Sequence, residues 1–257
     1  MSLLLQDKIF ISTRPEGQSG ELAQLFSTAG ATVVEMPLVK IQPAQLTEFE
    51  IKHFKELHFF QWLIFTSPNG VRYFFDNLME IQGNHILPGL LQVAVIGAKT
   101  EQVLSGFGYK ASFINSGSTG EDFATAFSQK IKNEKSIPKV LLALGNLART
   151  VIQDELSDVA LCARINLYQT ETPKSLDEKL IQLILNDNYE MLIFTSPSGV
   201  KNFLKLAGNV QPEKIRMACI GDTTSKTAIE NNIIPKVVAK NSSAAGLFES
   251  ILNCYKY

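Results

Sequence analysis

The chain has 257 residues, which at roughly 100–200 residues per domain means one large domain or two smaller ones. Hydrophobic residues make up 45% and charged residues 19%, a balance that excludes a disordered or fibrous chain. Lys+Arg 24 against Asp+Glu 25 leaves a net charge of −1, so there is no global basic footprint for nucleic acid and any anion must be bound through local features.

Lys8–Ser12 (KIFIS) reads as a buried strand, followed by Thr13 as a helix cap and Pro15 at an early helical position. Leu22, Leu25, Phe26 and Ala29 recur at helical spacing, Gly30 ends that helix, and Thr32–Met36 is the next strand. Further strands are predicted at Trp62–Phe65, Val93–Ile96, Val140–Leu144, Ile165–Tyr168, Met191–Phe194 and Met217–Ile220. Short apolar runs, each bounded by turn residues and alternating with amphipathic stretches, indicate a parallel α/β protein. The opening MSLLLQDKIF is too short for a secretory core and no long apolar run follows, so the expected location is the cytoplasm. Cys162, Cys219 and Cys254 are widely spaced and His53, His58 and His85 do not cluster with them, which argues against a disulfide framework or a zinc site.

The most informative feature is an internal repeat. Residues 63–71 read LIFTSPNGV and residues 192–200 read LIFTSPSGV, identical at eight of nine positions. The helices that follow match as well, with Val71, Phe74, Phe75 and Leu78 on one face and Val200, Phe203, Leu204 and Ala207 on its counterpart. VIGAKT at 95–100 resembles CIGDTT at 219–224, Ser118-Thr119-Gly120 resembles Ser242-Ser243-Ala244, and KIFIS at 8–12 is echoed by KVLLA at 139–143. Two similar α/β halves of about 130 residues follow, and the repeat by itself suggests a tandem split near residue 137.

Every repeated motif sits where a strand ends and a helix begins. Such junctions offer free backbone N–H groups and a positive dipole end, and in open α/β sheets they are where ligands bind. Ser67, Asn69 and Gly70 mark one junction and Ser196, Ser198 and Gly199 its twin; Gly97–Thr100 and Gly221–Thr224 form a second pair. The same residues also read as ordinary helix caps, and Ser118 with Glu121 fits a capping box. Arg14 and Arg149 each follow the first strand of a half by a few residues, placed either to fork a carboxylate or to lie solvated on a loop. Trp62 reads as core, His53 and His58 as exposed positions on a polar helix, and Cys219 as a buried small hydrophobe. No Rossmann, Walker A or nucleophile-elbow motif occurs, and no nucleophile–base pair is visible.

In this order and spacing, TRPEGQ at 13–18, FTSPNGV, VIGAKT with the later GY at 108–109, LYQTE at 167–171, FTSPSGV, and IGDTT with SSAAGL resemble the uroporphyrinogen-III synthase family over about residues 8–252. The resemblance implies two α/β domains with parallel sheets, joined by a two-stranded β-ladder, with the active site in the cleft between them. Carried onto this chain, it implies residues 1–37 plus 170–257 as one domain and 40–166 as the other, with crossing strands near Pro37–Ile41 and Asn166–Thr170. It further implies a lyase that needs no metal or organic cofactor. The substrate is hydroxymethylbilane, a linear tetrapyrrole bearing eight carboxylates, which loses water and closes to uroporphyrinogen III with ring D inverted through a spiro intermediate.

Tyr168 of LYQTE matches the family's tyrosine on the inter-domain strand and is implied either as proton donor to the departing hydroxyl or as an aromatic of the cleft wall. Thr100, Thr223 and Thr224 match the threonines of the IG motifs, and Ser67 and Ser196 the two FTSP serines. Arg14, Asn69, Gly70, Ser118, Arg149, Ser198 and Gly199 complete the expected substrate contacts. Lys99 and Asp222 depart from the pattern, and a carboxylate at 222 beside a carboxylate-binding turn either points away as a cap or weakens that half. A monomer is expected, free of nucleic acid and membrane, with transient contact to the preceding pathway enzyme. The alternative is a non-catalytic two-domain binder of a small polyanion.

Overall fold

The structure, a computed structural model, describes residues 4–115, 119–132 and 136–256. The chain divides into two compact units, one built from the residues up to Lys40 together with Glu171 onward, the other from Ile41–Thr170. It opens with β1 (Ile9–Ser12), α1 (Gly20–Ser27) and β2 (Thr32–Glu35). Then follow β3 (Lys40–Pro43), α2 (Glu48–Lys55), β4 (Trp62–Phe65), α3 (Pro68–Gln82), β5 (Gln92–Ile96), α4 (Ala98–Gly106) and β6 (Phe113–Asn115). The second unit closes with α5 (Gly120–Ile131), β7 (Lys139–Gly145), α6 (Val151–Glu155) and β8 (Leu161–Glu171). Back in the first unit come α7 (Glu178–Leu185), β9 (Met191–Phe194), α8 (Pro197–Leu206), β10 (Met217–Cys219), α9 (Asp222–Glu230), β11 (Val237–Val238) and α10 (Ala244–Asn253).

The first unit holds a parallel sheet in the order β11-β10-β9-β1-β2, and the second a sheet in the order β3-β8-β7-β4-β5-β6 whose members from β8 to β6 run parallel. The two strands through which the chain crosses between units, β3 and β8, are hydrogen-bonded neighbours and form one end of the six-stranded sheet. Strands buried on both faces read as continuous apolar runs, and the pleat sends alternate residues to opposite sides. On β4, Leu63 and Phe65 pack with Phe54, Phe74 and Phe75, while Trp62 and Ile64 pack with Phe123 and Phe127 on the other face. Trp62 meets Phe127 edge-on at 4.9 Å, which makes it a core residue. On β1 and β9 the same division sends Ile11, Leu192 and Phe194 to one core and Phe10, Met191 and Ile193 to the other. Cys219 lies fully inside the first of these, and burial pushes its thiol up to about 12.

Two local expectations are corrected. Thr13 does not cap a helix: its N–H and its hydroxyl both donate to the Ile193 carbonyl (3.1 and 2.8 Å), extending the β1–β9 pairing past Ser12. The helix starts only at Gly20, because Glu35 accepts from Gly17 N–H and Ser19 N–H (both 3.1 Å) and holds residues 13–19 as a loop. His53 is not exposed either. It is 9% accessible, edge-on to Phe49 (4.6 Å) and Phe60 (5.6 Å), because the 3₁₀ turn Leu57–Phe59 folds Phe60 back over α2.

Among the described residues, His53 Nε2 has no hydrogen-bond partner. Burial lowers the imidazole's proton affinity, and Lys52 adds to that, while Glu56 and Glu50 oppose it. A histidine depressed in the fold is protonated first in the unfolded chain, so stability falls as pH drops through about 6.5 and keeps falling until the lower native value is passed. Thermal melts at pH 7.5 and 5.5 are expected to show a smaller acid-induced loss for His53→Phe than for the natural chain; identical losses would remove His53 from the pH dependence.

Candidate functional site

The two FTSP serines take up the same local geometry. Ser67 (φ −156°, ψ 154°) and Ser196 (φ −156°, ψ 152°) are the N-caps of α3 and α8, with a proline opening each helix. Ser67 Oγ accepts from Gly70 N–H at 3.0 Å and Ser196 Oγ from Gly199 N–H at 3.1 Å. Both glycines are buried and tightly surrounded: an added Cβ at Gly70 falls 3.0 Å from the Ala143 carbonyl, and one at Gly199 falls 3.3 Å from Ser196 Oγ. The capping function is therefore real. It leaves each serine with its own proton and a second lone pair to use elsewhere.

In the second unit that remaining capacity meets Tyr168, whose Oη lies 3.0 Å from Ser67 Oγ, with either hydroxyl able to donate. Tyr168 reaches this place through a bulge. Leu144 pairs with Asn166 and Gly145 with Tyr168, so Leu167 is the extra residue of β8, and Leu167 and Tyr168 both pack on the α3 side of the sheet. Tyr73 of α3 stacks on the Tyr168 ring at 5.6 Å, and burial pushes the Tyr73 phenol up. The backbone around Tyr168 is tied down by Asn146, whose N–H donates to the Tyr168 carbonyl (3.0 Å) and whose Oδ1 accepts from Thr170 N–H (2.8 Å). Gly145, Asn146 and Arg164 were not singled out in the sequence. A glycine ending an apolar run signals a turn or a close approach, but only the strand register shows that the approaching group is a tyrosine.

In the first unit the twin position has no tyrosine. Ser196 Oγ instead meets Ser198 Oγ at 3.1 Å, Ser198 being exposed, and Thr13 Oγ1 lies 3.7 Å from where a Cβ on Gly199 would stand. Arg14 stands half-buried on the adjoining loop, its Nη1 donating to the Gln18 carbonyl at 3.2 Å. Burial pulls the proton affinity of its guanidinium down and Glu21 opposes the shift; the group stays charged and, among the described residues, makes no ion pair. Arg149 differs. It is exposed and already engaged with Glu121, Nη1 to Oε1 at 2.7 Å and Nη2 to Oε2 at 3.2 Å.

The remaining expected residues separate by exposure. Thr100 and Thr224 lie in the first turns of α4 and α9 at 2% and 3% accessibility, so their hydroxyls offer a ligand almost no surface, whereas Thr223 is exposed. Asn69 is half-buried with Oδ1 3.4 Å from Arg72 Nη1. Asp222 is exposed in the first turn of α9, but the cap there is Gly221 and not Asp222. Ser118 lies outside the described residues; the cap of α5 is Thr119, which accepts from Asp122 N–H at 3.1 Å. Among the described residues no group of three His, Cys, Asp or Glu side chains is placed to hold a metal ion, and no helix is long and apolar enough to cross a membrane.

The architecture, two parallel-sheet α/β units with capped helix starts at the strand carboxyl ends, is that of known two-domain α/β enzymes. Solved structures of uroporphyrinogen-III synthetase from Helicobacter pylori (TM-score 0.62, 19% identity, 96% of this chain and 99% of that one) and of a mutant uroporphyrinogen III synthase from Thermus thermophilus (TM-score 0.60, 13% identity, 96% and 98%) share the fold. The family model described as uroporphyrinogen-III synthase HemD matches residues 20–249, and the chain belongs to that family, the cyclising hydro-lyases of tetrapyrrole biosynthesis. The chain is 27% identical to uroporphyrinogen-III synthase of Synechococcus elongatus over 95% of its length and 94% of that protein. It is 26% identical to the porphyrin biosynthesis protein HemD of Ruminiclostridium josui over 97% of its length, and spans about half (49%) of that longer relative.

Removing a capping hydroxyl costs about 1 kcal/mol. Ser67→Ala and Ser196→Ala are each expected to lower stability in urea by about that amount, measured at unchanged slope. A loss near zero for either would mean that its bond to Gly70 or Gly199 does not carry the helix start.

Proposed function

We propose that the chain converts hydroxymethylbilane to uroporphyrinogen III, with Tyr168 as the acid that protonates the departing hydroxyl. Family membership supports the reaction. The observation that carries the assignment of the acid is the hydrogen bond between Tyr168 Oη and Ser67 Oγ at the start of α3. Ser67 Oγ already accepts from Gly70 N–H, so its own proton is free to go to Tyr168 Oη; the phenol then donates outward, toward substrate rather than back into the protein. In that step the C–O bond to the hydroxyl breaks with its electron pair, the proton from Tyr168 completes the departing water, and the cation left on the pyrrole methylene is attacked by ring D. The positive end of the α3 dipole stabilises the phenolate formed at Tyr168.

The same reading assigns the polar strand ends to the substrate's carboxylates. Arg14, charged and in no ion pair among the described residues, supplies the strong contact. Ser196, Ser198, Gly199, Thr223, Asn69 and Gly70 supply neutral ones, each worth about 0.5–1.5 kcal/mol. Thr100 and Thr224 act from beneath by filling the first turns of α4 and α9. Arg149 joins the substrate only by exchanging Glu121 for a carboxylate. We assign residues 1–37 with 170–257 and residues 40–166 to the two domains of the family, both contributing to binding, and read the protein as a cytoplasmic monomer. Three free thiols, one of them exposed at Cys254, support a reducing compartment. Transient contact with the enzyme that supplies the short-lived substrate fits the same reading.

The natural chain, given freshly made hydroxymethylbilane, is expected to yield isomer III, and production of isomer I alone at the spontaneous rate would leave a polyanion binder as the better reading. Tyr168→Phe is expected to cut turnover by roughly 10–10²-fold, the low end for a general acid because this leaving group departs easily, with isomer III still the main enzymatic product. Turnover equal to the natural chain would remove Tyr168 from the chemistry, and isomer I formed at normal substrate consumption would make it a residue that orients the chain for closure.

A further inference from the structure

The β8 bulge brings the Tyr168 ring over the end of β7, onto a position where no side chain fits. A Cβ built on Gly145 falls 2.5 Å from Tyr168 Cε2 and 2.8 Å from Oη, distances that real side-chain carbons do not reach. Gly145 lacks the positive φ that would otherwise explain a glycine, so the constraint is space for the phenol. The turn that begins there is gripped by one side chain. Arg164 donates through Nη2 to the Gly145 carbonyl (3.1 Å), through Nη1 to the Ala148 carbonyl (3.0 Å) and through Nε to Asn166 Oδ1 (3.0 Å). The Gly145 carbonyl also accepts from Ala148 N–H at 3.1 Å, which closes the turn on itself.

Arg164 is half-buried and, among the described residues, makes no ion pair, so its charge is spent on two main-chain carbonyls and an amide. It sits four residues before Tyr168 on the same strand. On the far side, Thr170 N–H bonds to Asn146, the residue that follows Gly145. Strand and turn are thus pinned together on both sides of the tyrosine, and the phenol's position relative to Ser67 is set by where Gly145 lies.

We propose that Gly145 and Arg164 are positioning residues for Tyr168: the glycine makes the space in which the phenol stands, and the guanidinium fixes that space against β8. The inference concerns placement, and its catalytic consequence rests on the reading of Tyr168 as the proton donor. A displacement of about 1 Å from productive geometry is enough to cost on the order of 10²-fold in rate. Loss of either residue therefore falls on kcat, whereas the carboxylate contacts that govern KM lie on other side chains.

The test uses the full chain labelled with 3-fluorotyrosine, whose six tyrosines give separate fluorine resonances; that of residue 168 is the one missing in Tyr168→Phe. Gly145→Ala and Arg164→Lys are compared with the natural chain for the position of this resonance, kcat, KM and melting temperature. Both variants are expected to shift the resonance of Tyr168 and to lower kcat, Gly145→Ala by roughly 10–10²-fold and Arg164→Lys by less, with KM changed no more than about threefold. Gly145→Ala combined with Tyr168→Phe is expected to turn over no more slowly than Tyr168→Phe alone. An unmoved resonance in both variants, or losses that multiply in the combined variant, would overturn the proposal. A moved resonance together with natural turnover in Tyr168→Phe would uphold the placement and refute the proton-donor reading instead. Should Arg164→Lys melt too low to assay, Gly145→Ala decides the matter, since the three atoms nearest its added methyl all belong to Tyr168.

Discussion

One surplus residue in β8 governs the candidate site of the second unit. Without Leu167 as the extra residue, the period of two along the strand would send Tyr168 to the same face as Asn166 and Arg164, away from α3. With it, Ile165, Leu167 and Tyr168 all pack on the α3 side, and the phenol arrives at the hydroxyl that caps that helix. The bulge costs a ladder hydrogen bond and leaves irregular backbone to be satisfied. The Leu167 carbonyl accepts from Ala44 N–H, Asn146 pairs with Tyr168 and Thr170, and Arg164 holds the facing turn, so the polar groups around the bulge also hold the tyrosine.

The duplicated motifs then explain why two similar halves are not equivalent. Both FTSP turns use proline to open the helix, serine to cap it and glycine to let a neighbouring strand come close. What faces the cap differs. In the second unit it is a phenol, a group able to give up a proton; in the first it is Ser198, with Arg14, which makes no ion pair among the described residues, on the loop after β1. On the proposed reading, the shared scaffold offers N–H groups and hydroxyls to the substrate's carboxylates in both units, and the divergent residues supply an acid in one and positive charge in the other.

Much of this was legible in the sequence because it depends on local rules. Apolar runs bounded by turns marked the central strands, with Trp62–Phe65 and Met191–Phe194 placed to the residue, and the serine–proline–glycine spacing marked the starts of α3 and α8. The failures come from contacts that apolar periodicity does not encode, some between residues far apart in the chain and some within a single turn. β8 begins at Leu161 rather than Ile165, since its first turn of pairing is dictated by β7 and not by its own half-polar residues. Thr13 forgoes a cap for the Ile193 carbonyl, 180 residues away, and His53 is buried by a turn that no periodicity announces. Thr100 and Thr224 share a motif with exposed neighbours, but the rotation of each first turn faces them inward. The role of Gly145 needs the register of β7 against a bulged β8, which spacing along one strand does not contain.

The central claim is that Ser67 and Tyr168 act as one unit in proton donation, and a double-mutant cycle in turnover tests it most directly. Ser67→Ala, Tyr168→Phe and their combination are assayed for kcat on hydroxymethylbilane, with Ser196→Ala as the control for a lost cap that has no tyrosine. If the two side chains work through their shared hydrogen bond, the combined variant turns over no more slowly than Tyr168→Phe, and Ser67→Ala loses more kcat than Ser196→Ala does. Independent effects that multiply in the combined variant, or equal losses for the two serines, would contradict the account.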